Sequence, residues 1–171
     1  MNNSSLDFIK QILDKQMSMP VGRVFAYNGN QDLPKDRDLF IVLSIAEVTP
    51  YSNNNRYRPT ADGLEEVQTS NTAEDIIISL MSQSTQARDR AHEAFMALKS
   101  TYAQYVQEVN KFHISTINSV RDMSFLEETA NLYRFDIECR VLRAHQIINK
   151  IDYYDKFPNT STLEANLYIE E

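Results

Sequence analysis

Between Ser84 and Leu142 the chain writes a run of helical periodicity, a short connection, and a strand whose two faces can be read residue by residue. On the helical part Ala87, Ala91, Ala94, Phe95, Leu98, Tyr102, Tyr105, Val106 and Val109 recur at three- and four-residue steps, which stack side chains on one stripe. Gln86, Arg88, Asp89, Arg90, Glu93, Lys99 and Gln104 fall on the other side. In the strand, Tyr133, Phe135, Ile137, Cys139 and Val141 alternate with Arg134, Asp136, Glu138 and Arg140, the period-two pattern of a sheet with one wet face. The expected fold is α/β in the α+β sense: a mostly antiparallel sheet packed on one long helix, plus an N-terminal helix. Its expected core joins Phe95, Leu98 and Tyr102 to Ile76, Ile78, Phe135 and Ile137.

Composition narrows the class. The 171 residues, 42% hydrophobic and 24% charged, suit a globular chain long enough to bury a core. A net charge of −7 argues against sequence-specific duplex binding, which needs cations to displace phosphate counterions. The single Cys139 excludes an intramolecular disulfide framework, fits a reducing compartment, and lies in the apolar phase of its strand, so it reads as a small core residue. The start, Met1 to Leu6, is polar and uncharged, unlike a signal peptide, and no apolar run approaches a membrane span. The expectation is a mature cytosolic product with no membrane contact.

Along the chain, Leu6, Ile9, Ile12, Leu13 and Met17 form a first helical stripe over residues 4–18, with Ser4 and Asp7 spaced as a capping box and Pro20 and Gly22 ending it. Val24, Phe25 and Tyr27 suggest a short strand, followed by a surface loop containing Pro34. Leu39 to Val48 is nearly continuous apolar sequence, a strand covered on both faces or at a subunit contact, with Pro50 closing it. Residues 51–62 are too polar for core and rich in turn formers, so they read as a projecting loop. Leu64 to Ser70 and Ala73 to Met81 are predicted antiparallel neighbours joined at Asn71 and Thr72, after which Ser84 caps the long helix. Phe112 to Val120 reads as extended, Phe125 to Glu128 as loop, and Gln146 to Phe157 as a last strand or an arm. A domain over 1–157 and a tail over 158–171 complete the expected organisation.

Residues that would carry chemistry are scattered. His92, His113 and His145 stand far apart without a second ligand at metal spacing, so no metal is expected. The acidic neighbours Glu65 and Glu66, Glu74 and Asp75, and Glu127 and Glu128 diverge on extended backbone and read as solvated charge. Only 3 glycines make a phosphate-cradling loop implausible, and no cofactor fingerprint occurs. The chain reads as a non-enzyme. Two surfaces suggest recognition instead. Asn53, Asn54, Asn55, Arg56, Tyr57 and Arg58 combine amides, cations and an aromatic ring in the projecting segment, a candidate interface or lumen loop. Tyr153, Tyr154, Phe157 and Tyr168 punctuate the polar tail as candidate anchors for a partner.

The order of these pieces resembles the neck and tail-terminator proteins of tailed bacteriophages, specifically the neck terminator-like or gateway family of contractile-tailed phages. The resemblance is carried by Leu6 to Met17, Pro34 to Val48, Ile76 to Leu98, and Arg121, Asp122, Met123 and Ser124 running on to Tyr133, Arg134, Phe135, Asp136 and Ile137. It implies a structural virion protein of the neck, assembled in the host bacterial cytoplasm, which joins head to tail. It further implies a homo-oligomeric ring, a hexamer, lying between a head completion or adaptor protein and the tail tube or sheath proteins. DNA would cross its lumen with only transient, non-specific contact. A small protein-protein adaptor and a small enzyme with an unadvertised carboxylate site are the alternative readings.

Overall fold

The computed structural model describes residues 4–27, 34, 36–61, 63–127 and 130–151. Helix α1 (Ser5–Gln16) opens on a complete capping box: the Ser4 hydroxyl accepts from the Asp7 amide at 3.3 Å, and the Asp7 carboxylate accepts from the Ser4 amide at 2.9 Å. Its stripe of Leu6, Ile9, Ile12 and Leu13 is buried. Strand β1 (Val24–Ala26) follows and pairs in parallel with β2 (Phe40–Thr60), which turns back into β3 (Gly63–Ser82). Helices α2 (Gln86–Asp89), α3 (Ala91–Leu98) and α4 (Thr101–Asn110) come next, then β4 (Phe112–Ile117), β5 (Arg121–Asp122), β6 (Phe125–Glu127) and β7 (Ala130–Ile151). The main sheet runs β1-β2-β3-β7-β4, with β5 and β6 also paired to β7. Except for β1 with β2, every pairing is antiparallel.

One face of this sheet carries the core. Ile41 and Leu43 from β2, Ile76, Ile78 and Leu80 from β3, and Ile137, Cys139 and Val141 from β7 are buried beneath the helices. The helices contribute Ala87, Ala91, Ala94, Leu98, Ala103 and Val106; the small alanines suit close approaches of α2 to β3 and β7, of α3 to α1, and of α4 to α1 and β4. Phe8 of α1 stacks on Phe112 of β4 with ring centroids 5.2 Å apart, closing one end of the layer.

The segment expected as one long helix is broken into three. At the second break the Ser100 side chain accepts from the Ala103 amide at 3.1 Å while its own backbone is extended, so a new helix begins there with a new axis. At the first, the Arg90 side chain reaches across to donate to the Met17 carbonyl at 2.6 Å, tying the junction to the end of α1. Breaking the axis shifts the stripe: Tyr105 and Val109, assigned to the buried side by a continuous period, are exposed. Ser84 does not cap. Its hydroxyl donates to the Arg37 carbonyl, and it is Ser82 whose hydroxyl accepts from the Ala87 amide at 3.0 Å.

Three further expectations change. Residues 51–60 are strand, because the end of β2 pairs with β3 up to Thr60 opposite Gly63; the segment projects, but as part of a ladder. Pro50 therefore lies within an edge strand, the place in a sheet where a missing amide is tolerated. The supposed turn at Asn71 and Thr72 is the middle of β3, held straight by Ser52 and Ala144 on either side of Asn71. Residues 125–127, read as loop, pair with the start of β7.

Within the expected core, Leu98, Ile76, Ile78, Phe135 and Ile137 are buried, whereas Phe95 and Tyr102 are half-buried. The Lys99 ammonium lies 4.4 Å from the Phe95 ring centre and Lys15 lies 4.0 Å from that of Tyr102, so both rings form the outer skin of the helical layer. Leu98→Ala is accordingly expected to cost about 2–5 kcal/mol, and Phe95→Ala less. Denaturant melts of both variants check the order, and equal losses would show Phe95 packed as deeply as Leu98.

Candidate functional site: the projecting arm

Beyond the helices, three strands continue as a ribbon made of residues 52–60 of β2, 63–71 of β3 and 144–151 of β7. The hairpin closes through the two residues between Thr60 and Gly63, with Gly63 at φ +136°, a conformation that a side chain disfavours. Among the described residues no helix covers either face. Tyr57, Ile147 and Ile148 are 62%, 60% and 52% exposed. What holds the ribbon is its ladder and a few cross-strand contacts. Across β2 and β3, Arg58 pairs with Glu65 at 2.7 Å and Asn55 Nδ2 donates to the Glu66 carboxylate at 3.2 Å, while Gln68 of the same strand donates to Glu66 at 2.8 Å. Such exposed contacts contribute only about 0.2–1 kcal/mol each.

The base of the arm is built more firmly. On the helix side, the Arg143 guanidinium lies 5.6 Å over Phe8, and Thr72 Oγ1 lies 3.1 Å from His145 Nε2, which is 3.9 Å from the buried Glu74. On the opposite face the Arg140 guanidinium donates two bonds of 2.7 Å to Asp75. Arg134 likewise donates to Asp136 at 2.9 and 2.8 Å and to Ser79 at 3.4 Å, and Arg121 reaches Glu138 at 3.4 Å. The charges that alternate along β7 are thus compensated within the sheet. Arg140 holds the Asp75 carboxyl below the ordinary carboxylate range, partly opposed by burial.

The turn leading to β7 is tied by side chains. The Asp122 carboxylate accepts from the Ser124 amide at 2.9 Å, and the Ser124 hydroxyl accepts from the Arg134 amide at 3.1 Å. The Asp122 carboxyl is held low by hydrogen bonding from the Ser124 side chain first and from its amide second, partly opposed by burial.

Of the sequence-assigned surface, Asn53 to Arg58 lie together on β2 in the arm; Arg58 is paired, and Arg56 and Tyr57 are exposed. A depression of about 500 Å³ runs along this ribbon past Ser52, Asn54, Arg56, Arg58 and Val67. Tyr153, Tyr154, Phe157 and Tyr168 lie outside the described residues. The third strand of the arm is the end of β7: the segment from Gln146, expected as a last strand or an arm, continues β7 as far as Ile151 and is a β-prone run without proline or glycine. Among the described residues no group of three or more His, Cys, Asp or Glu side chains could hold a metal ion, and no helix is long and apolar enough to cross a membrane.

Cys139 lies under the helices, 1% exposed, and burial, with Asp75 and Glu138 nearby, pushes its thiol up to about 12. These observations define a protein of strand edges and compensated surfaces. By family it is a phage neck terminator protein: that family's profile matches residues 3–165, and the chain belongs to it. No curated protein matches the chain.

Two outcomes are expected. A thiol reagent at pH 8 should modify Cys139 far more slowly in the native protein than in denaturant; equal rates would mean the helical layer opens readily. Because the folded pKa of Asp75 is depressed, its contribution is present above the unfolded carboxylate value and lost as pH falls through the folded one. The stability gap between the native chain and Asp75→Asn should therefore narrow below about pH 4, measured by urea melts across that range, and a constant gap would dissociate the pair from acid stability.

Proposed function

We propose that this chain is a structural subunit of the phage neck that assembles with copies of itself into a ring, a hexamer, between the head completion protein and the tail. The ring joins head to tail and leaves a lumen for DNA. The observation that carries this reading is the arm: a ribbon bare on both faces gains too little from its own ladder to be an end in itself. In a family of neck terminators the natural cover is protein, either a second subunit or the adjoining head and tail components. The −7 net charge suits a conduit for a polyanion, since a channel wall that binds DNA would retard it.

Within this reading Arg56, Tyr57 and Arg58 form a contact surface at the arm, and the aromatic residues Tyr153, Tyr154, Phe157 and Tyr168 anchor the C-terminal segment on a neighbouring subunit or neck protein, the rings supplying affinity and the polar spacer reach. Replacing Arg56 and Arg58 together by alanine should change unfolding free energy by no more than about 1 kcal/mol, because the one ion pair lost is exposed. The same variant should lower the yield of heads joined to tails when it complements a phage lacking the protein. Normal yield and infectivity would remove the arm from the joining surface. Native mass measurement of the purified protein and of isolated neck complexes tests the ring itself, and a monomer in both would favour an adaptor.

A further inference from the structure

The edges of this sheet are treated in two different ways. In the body, outward backbone groups are taken up by side chains of the same chain: Lys10 Nζ donates to the Val24 carbonyl of β1 at 2.7 Å, and the Gln107 side chain accepts from the Ile114 amide of β4 at 2.8 Å. Sheets that must not pair are blunted in this manner. In the arm, among the described residues, no side chain bonds to the outer backbone of β2 from Ser52 to Arg58 or of β7 from Ala144 to Ile151. The outer side of β7 is paired with β6, β5 and β4 as far as Arg143, and that of β2 with β1 only as far as Leu43.

These two open edges fit each other. Ser52 and Ala144 are both opposite Asn71, Asn54 and Gln146 both opposite Thr69, and Arg58 and Lys150 both opposite Glu65, so the edges span the same height on the arm. Each is antiparallel to β3, so they run in the same direction. Pro50 and Pro59, which have no amide to donate, bracket the β2 window, while β7 carries no proline and presents Ile147 and Ile148. An edge at one side of a ribbon that matches the other side at equal height is a heterologous, head-to-tail surface, the kind that repeats around an axis.

We infer that the β7 edge of one arm, Ala144 to Ile151, pairs in parallel with the β2 edge, Ser52 to Arg58, of the arm of a second copy of this chain. The arms then form a continuous sheet from subunit to subunit, and closing that sheet pairs both open edges of every arm. The inference rests on the ring reading and specifies its contact.

Cysteine pairs test it in the full-length chain, where the native Cys139 is buried. Asn54→Cys and Gln146→Cys share one face and one height; within one arm they lie two strand spacings apart, about 10 Å, beyond the reach of a disulfide. Oxidation of the double variant, purified and in phage particles, should give a ladder of dimer, trimer and larger species. Each single variant should stay uncrosslinked, and a mixture of the two should stop at dimers. Adding Ile148→Lys should cut the crosslinked fraction at least tenfold while leaving the thermal melt of the monomer in place. Dimers from Gln146→Cys alone would overturn the inference in favour of a two-fold β7–β7 contact. Absence of crosslinks from a protein that native mass shows to be oligomeric would overturn it while leaving the ring reading standing. A chain that is monomeric in solution and in particles would overturn both.

Discussion

Strands and helices in this protein have unequal reach, and much of the structure follows from that mismatch. The 20 residues of β3 extend about 65 Å at the rise of a strand, whereas the 12 residues of α1, the longest helix among the described residues, span about 18 Å. The four short helices among the described residues cannot roof strands of that length, so within those residues the sheet has a covered body and a bare extension. The changeover falls near Glu74 and Thr72, where the buried run of Ile76, Ile78 and Leu80 gives way to polar side chains on the same face. The β3–β7 ladder crosses this boundary in unbroken register, from Leu64 opposite Ile151 to Ser82 opposite Tyr133. Body and arm are one sheet, and the core anchors the base of the arm.

Energetics differ accordingly between the two parts. In the body, apolar burial at roughly 25 cal/mol per Å² supplies the stability, and the paired charges of the opposite face add order more than energy. In the arm, main-chain bonds and exposed cross-strand contacts must offset the ordering of the chain almost unaided. Bulges in β2 between Ile45 and Glu47 and between Pro50 and Ser52 lie at the transition, where extra residues re-aim a strand and increase its twist. Such an extension is nearly all surface, and the phage neck terminator family to which the chain belongs implies contact with other head and tail proteins.

Cys139 and the arginines of the sheet are held by their immediate surroundings. Cys139 is sealed under helices with its thiol held protonated, and Arg134, Arg140 and Arg121 each lie beside a carboxylate of the same sheet. A face on which cations and anions neutralise one another in place has little field to capture a charged ligand, which suits a wall or a contact more than an active centre.

Several features were legible in the sequence because they depend on neighbours a few residues apart or on one buried face. The capping box of Ser4 and Asp7, the stripe of α1, the alternation from Tyr133 to Val141 with Cys139 on its inner side, and the family resemblance are of that kind. Tertiary structure alone decided the rest. Residues 51–60 show no period-two pattern because both faces of the arm are wet, and strand formation there is imposed by pairing with β3 and not by burial. Asn71 and Thr72 read as a turn yet sit mid-strand, since β2 on one side and β7 on the other hold their backbone extended. The continuous helical period broke at Ser100 because a side-chain cap outweighed propensity. The matched open edges of the arm, finally, involve residues some ninety positions apart, and only the register of three strands places them at one height.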